Sequence, residues 1–114
     1  MRLFHYLDVK AEVADEGSRG LRVRWLITKD LGAENFAMRL FEMDPGGYSP
    51  LHSHPWEHEV FILEGEGTVF SGGEEHKFRA GSVIFIPPNE KHQFKNTGEK
   101  IVKFLCLVPN RAST

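Results

Sequence analysis

One cysteine, Cys106, stands among 114 residues, so no disulfide forms within the chain and thiolates are too few for a cysteine-based zinc site. A reducing, intracellular setting is the expectation. Long apolar runs are also missing. No stretch reaches the length of a membrane span, and the N-terminal Met1-Arg2-Leu3-Phe4-His5-Tyr6-Leu7-Asp8 is interrupted too early for a signal-peptide core. These absences predict a soluble, cytoplasmic protein. Charge of one sign is lacking as well: 14 Lys and Arg are scattered among 16 Asp and Glu, for a formal charge of -2. Without a basic stripe, DNA, RNA and anionic membrane are discounted as partners. Helical periodicity is scarce, with a turn or two at 8–13 and a loop at 30–35. There is no internal repeat, dividing linker, phosphate loop, nucleotide fingerprint or appended helix-turn-helix region.

What is present is alternation broken by turn chemistry. Leu21, Val23, Trp25 and Ile27 share one parity while Arg22 and Arg24 take the other, the two-residue period of a strand with one core face. Further strands are expected at 36–43, 48–54, 58–63, 67–71, 76–79, 82–86, 92–96 and 101–108. Glycine- and proline-rich separators such as Asp44-Pro45-Gly46-Gly47 and Pro87-Pro88-Asn89-Glu90 divide them. Short strands at this rhythm predict an all-β antiparallel barrel or sandwich. A chain of this length fits one domain, 1–114, and removes roughly two thirds of its unfolded surface from water. Its first 20 residues read as an N-terminal extension, and 110–114 as a frayed end.

Histidine is the residue that carries chemistry. His52 and His54 share parity, so an extended segment sends both rings to one side, and Pro55 holds His54 extended. His58 shares its side with Val60 and Ile62 and should face inward. His92, with Phe94 beside it and polar Gln93 and Lys95 opposite, should also face inward from a separate strand. Four imidazoles converging in a small core would leave nitrogens without partners unless they bind something, which predicts a transition-metal site. His5 and His76 carry only the ordinary structural expectation.

The spacing of these residues resembles both motifs of the cupin superfamily. The first motif, G-x5-H-x-H-x3-4-E-x6-G, aligns as Gly46, His52, His54, His58 in place of the usual glutamate, and Gly65. The second, G-x5-P-x-G-x2-H-x3-N, aligns as Gly81, Pro87, Asn89 in place of the usual glycine, His92 and Asn96. The resemblance covers a motif core of 46–96 and implies a cupin-type antiparallel β-barrel, the jelly-roll or double-stranded β-helix. It also implies a metal held by His52, His54, His58 and His92, as in small four-histidine cupins, several of which hold manganese. With six residues between, His58 leads to Gly65 whereas Glu59 leads to Glu66, so Glu59 is expected to point outward, as an outer-layer partner or a salt bridge.

Manganese is the leading ion, with iron, nickel, copper, cobalt and zinc also compatible with imidazole. Phe94, Phe104 and Cys106 are candidate pocket residues, for which ordinary core packing is an equally good reading. Arg39 is placed to bind a substrate carboxylate if it faces inward, and Trp56 either covers the mouth of the site or joins a subunit contact. No general base stands out. The leading expectation is therefore a metal-dependent, dioxygenase-like oxidoreductase acting on a small organic molecule. A non-redox isomerase or lyase and a non-catalytic binding protein are the alternatives. Family resemblance also implies a homodimer, with the 21–27 face or the N-terminal segment as its contact.

Overall fold

The computed structural model describes residues 1–110. Among them, nine strands form one curled antiparallel sheet and no α-helix occurs. The strands are β1 Glu12–Val13, β2 Arg19–Ile27, β3 Phe36–Tyr48, β4 His58–Glu64, β5 Glu66–Ser71, β6 Glu74–Arg79, β7 Val83–Ile86, β8 His92–Lys95 and β9 Val102–Pro109. The order β6-β5-β8-β3-β9-β4-β7 places β3 at the centre, with β2 pairing β3 and β1 pairing β2. This is the curled antiparallel β architecture expected from the alternation.

Why β3 joins both halves is legible in its residues. Phe36 to Met43 pair with β9, whereas Tyr48 pairs with Lys95 of β8. Between them Asp44-Pro45-Gly46-Gly47 does not reverse the chain, as the sequence reading assumed. Arg19 pairs with Tyr48 and Leu21 with Met43, so these four residues bulge out opposite Gly20. Gly46 takes a left-handed φ of 79° there, and both ends of the Arg22 guanidinium donate to the Asp44 carboxylate at 3.1 Å. The bulge bends one long strand into two sheet halves.

The inner faces interlock. Ala37, Phe41 and Met43 of β3 sit opposite Val108, Phe104 and Val102 of β9, and all six are buried. Val60 and Ile62 of β4, Ile86 of β7, Phe94 of β8 and Val69 and Phe78 of β5 and β6 complete the core. Each large apolar side chain withdrawn from water in this way contributes about 1.5–3 kcal/mol. Leu21 and Val23 belong to the same core with Trp25 packed against it, so this part of the 21–27 face is turned into the barrel, while Ile27 is exposed.

The N-terminal 20 residues are more than an extension. They form a 3₁₀ turn at Tyr6–Asp8, strand β1 and the start of β2. Tyr6 lies under the cations of Arg24 and Lys103, and Arg24 also reaches the Val9 carbonyl and the Glu42 carboxylate. That layer lies on the outer face of β2, β3 and β9, where Leu40 is 2% exposed although its parity points outward. A second short 3₁₀ turn, Lys29–Leu31, opens the expected 30–35 loop. Of the expected frayed end, Asn110 is tied to the carbonyls of Asn35 and Ala33, and 111–114 lie outside the described residues.

Candidate metal centre

Beyond the end of β3 at Tyr48, residues 49–52 continue antiparallel to β8 without forming a regular strand. A side chain stands in for a backbone acceptor there. Ser49 Oγ accepts from the Phe94 N–H at 2.8 Å, while the Ser49 N–H donates to the Phe94 carbonyl. The ladder resumes at a bridge in which His52 and His92 exchange backbone bonds of 3.2 and 2.9 Å. The strand expected at 48–54 is thus an irregular segment, yet it delivers His52 directly opposite His92.

His54 is set by the loop that follows. Its carbonyl accepts the N–H of Asn89, which adopts a left-handed φ of 68°. Asn89 stands where the second motif usually has glycine, and asparagine is the side chain that tolerates this conformation best. The Trp56 ring stacks on His54 with centroids 4.5 Å apart and an interplanar angle of 5°. Trp56 therefore backs a histidine rather than lining the cavity itself.

The four rings converge. The ring nitrogens of His52, His54 and His92 lie within 4.8 Å of one another, a spacing that one metal ion can bridge. His58, first residue of β4, sits against this trio with its ring centroid 4.9 Å from His92 and 5.4 Å from His54. His92 Nδ1 is 2.9 Å from the Glu90 carbonyl, which can only accept. The proton of neutral His92 is therefore on Nδ1, and the Nε2 lone pair is free to ligate. His58 Nδ1 lies 3.3 Å from Cys106 Sγ, and its Nε2 is buried without a hydrogen-bond partner.

Electrostatics keep these rings uncharged. Burial, followed by the fields of neighbouring rings, pushes His58 down to about 3 and His52 down to about 4. His54 and His92 are lowered too, chiefly by burial, with Glu90 opposing the shift at His92. Neutral imidazole is the form that binds a cation. Burial likewise raises the Cys106 thiol, so it stays protonated as a small buried group.

Beside the histidines is a cavity lined by Leu21, Phe41, Phe94, Phe104, Cys106 and Arg39, together with Asp15, Ser49 and Pro50. Its volume is about 50 Å³, small beside the usual range for ligand sites. Arg39 faces inward because it shares parity with Ala37 and Phe41. The sequence left that orientation open. Asp15, Leu21 and Phe41 were missed as lining residues. Parity could have found Phe41, whereas only the fold brings Asp15 here.

Glu59 alternates outward along β4 and is exposed. It borders an outer groove with Phe36, Glu57 and Leu107, and among the described residues it has no ion pair. That groove holds none of the histidines. The salt bridge considered for Glu59 is absent there, because its outward neighbours, Phe85 and Leu107, are apolar.

Comparisons with known proteins agree with this architecture. The oxalate-binding protein of Thermotoga maritima is 36% identical over 74 residues, which are 61% of this chain and 61% of that protein. The polyketide synthase CurC of Streptomyces cyaneus is 35% identical over 96 residues, 82% of this chain and 62% of that protein. The aligned regions thus span less than two thirds of these relatives. Among solved structures, the polyketide cyclase RemF from Streptomyces resistomycificus superimposes with a TM-score of 0.90 at 36% identity, covering 96% of this chain and 80% of that one. Residues 39–108 match the family described as Cupin domain, and with the fold and both motifs in place the chain belongs to the cupins.

Proposed function

We propose that this chain, acting as one unit over 1–114, holds a divalent transition metal on His52, His54, His58 and His92 and uses it on a small organic molecule in the adjoining cavity. The observation that carries this reading is His58 Nε2. It is buried and has no hydrogen-bond partner, directly beside three imidazoles whose nitrogens already cluster. A buried polar nitrogen left bare costs about 1–3 kcal/mol, a cost that ligation removes. His58 Nδ1 lies against the Cys106 sulfur, which leaves Nε2 as the ring nitrogen available to a metal.

Four neutral ligands leave the ion's charge uncompensated, and the metal supplies Lewis acidity together with positions for a ligand's oxygen atoms. Manganese remains the leading ion through the resemblance to four-histidine cupins. The protein's own contribution is to exclude water with Phe41, Phe94 and Phe104 and to fix the ring orientations through Glu90 and Cys106. The names of the relatives denote oxalate binding and polyketide cyclisation. They support a non-redox, Lewis-acid role on an oxygen-rich molecule, and the dioxygenase-like reading draws no support from them.

Two measurements test this. Elemental analysis of protein purified without added metal should find close to one ion per chain, and His58→Ala should lower that content sharply. Unchanged stoichiometry in His58→Ala would overturn the four-ligand set. Turnover that persists without oxygen, with zinc as well as manganese, supports the Lewis-acid role. Turnover that stops without oxygen reinstates the oxidoreductase.

A further inference from the structure

Arg39 is the unusual charge of this molecule. Its guanidinium lines the cavity beside the histidines, 5.0 Å from the Phe41 ring centroid and 5.3 Å from that of Trp25. One amino group, Nη2, donates to the Cys106 sulfur at 3.1 Å, a weak acceptor for a cation. Nε is buried with no hydrogen-bond partner at all. Among the described residues no carboxylate comes within ion-pairing distance of Arg39, although Arg22 and Arg24 on the next strand each have one. A cation this enclosed ordinarily carries a counter-charge.

The surroundings offer nothing to fill that role. The cavity's other linings are the four histidine rings, the Cys106 sulfur, Leu21, Ser49, Pro50 and the phenylalanines, none of which carries a carboxylate. Asp15 is the one acidic residue lining the cavity. It is exposed on the loop between β1 and β2. Two stacked rings and the sulfur hold the guanidinium in place, so little ordering remains to be done when a partner arrives.

We infer that Arg39 is the binding residue for the anionic oxygen of the cavity's ligand, which makes that ligand an organic anion, a carboxylate or an enolate, rather than a neutral molecule. The inference deepens the metal reading by naming the ligand class, and it shares the cavity with it. Guanidinium and carboxylate match geometrically, and a charge-assisted bond in a site sheltered from water is about twice as strong as a neutral one. The Phe41, Phe94 and Phe104 walls then take the apolar body of the ligand.

The test is calorimetric titration of full-length protein, metal-free and loaded with zinc, using matched anion and amide pairs: acetate with acetamide, oxalate with oxamide, benzoate with benzamide. Wild-type protein should prefer at least one anion over its amide by about tenfold or more, the scale expected of one charge-assisted bond. Arg39→Met should abolish that preference with metal content unchanged, and Arg39→Lys should keep part of it. In the wild type, the Arg39 Nε–H NMR signal should shift on adding that anion. Equal affinity for anion and amide across the panel overturns the inference without any variant, as does an Arg39→Met protein that keeps the preference. If zinc fails to bind, the metal reading falls alone, because the anion preference of metal-free protein still decides the role of Arg39.

Discussion

Acid should weaken the metal-free protein more than its carboxylates alone would, and His58 is the reason. Burial holds His58 near 3 in the folded protein, against the ordinary 6.5 of an unfolded chain. Between those values the unfolded chain takes up a proton and the folded one does not. The stability tied to neutral His58 is therefore complete above 6.5 and is lost as pH falls toward 3. At pH 5 the solution lies about 1.5 units below the unfolded value and still above the folded one, and at 1.36 kcal/mol per unit the loss is about 2 kcal/mol. His52 shifts in the same direction but is half-exposed, so solvent screens it and its addition is smaller. Against a total stability of about 5–15 kcal/mol this is a large fraction. Urea unfolding of chelator-treated protein at pH 7.5 and pH 5 measures it, with His58→Leu as the control that removes the titrating group. The acid-induced loss should be smaller in His58→Leu by about 2 kcal/mol, or about 1 M in urea midpoint. Equal losses in the two proteins would refute the claim that His58 is held neutral by burial.

Two further predictions concern the scaffold. A methyl group at Gly67 would lie 2.1 Å from the Lys95 carbonyl oxygen and 2.7 Å from the Phe78 ring. Gly67→Ala must push β5 away from β8, and a thermal melt should show a loss of about 3 kcal/mol or more. Asn96 donates to the carbonyls of Met43 and Lys100 and accepts from the Gly98 N–H. Asn96→Ala leaves the Met43 carbonyl bare beside the bulge that bends β3, and chemical unfolding should report a loss of about 2–3 kcal/mol.

Much of this was readable from residue order, for a physical reason. A strand's period of two ties each side chain to a face, so parity alone placed Phe94, Phe104 and Cys106 inside and Glu59 outside. Parity failed where the backbone broke its period. Asp44-Pro45-Gly46-Gly47 has the composition of a reversal, yet pairing on both sides holds it as a bulge within a strand. Past Tyr48 the ladder turns irregular, and Ser49 Oγ accepts the Phe94 N–H in place of a backbone carbonyl. Asp15 reaches the cavity only because β1 folds back on β2, a long-range event that no local pattern announces. Leu40 likewise reads as an outward residue until Tyr6 and Arg24 cover its face.

The bridge between His52 and His92 also bears on how the chain folds. These residues are 40 positions apart (92 − 52), and all of β4 to β7 lies between them. His52, His54 and His58 fall within seven consecutive residues and need almost no chain closure to approach one another, whereas His92 joins them only after the long intervening segment has been confined. The cluster is therefore assembled in two stages of very different entropic cost, a local trio and a distant fourth member. Non-local pairing of this kind slows folding. Any cation able to grip the trio in the unfolded chain would meet it before the barrel closes, so the order in which cation and fold arrive becomes a property of the sequence spacing itself.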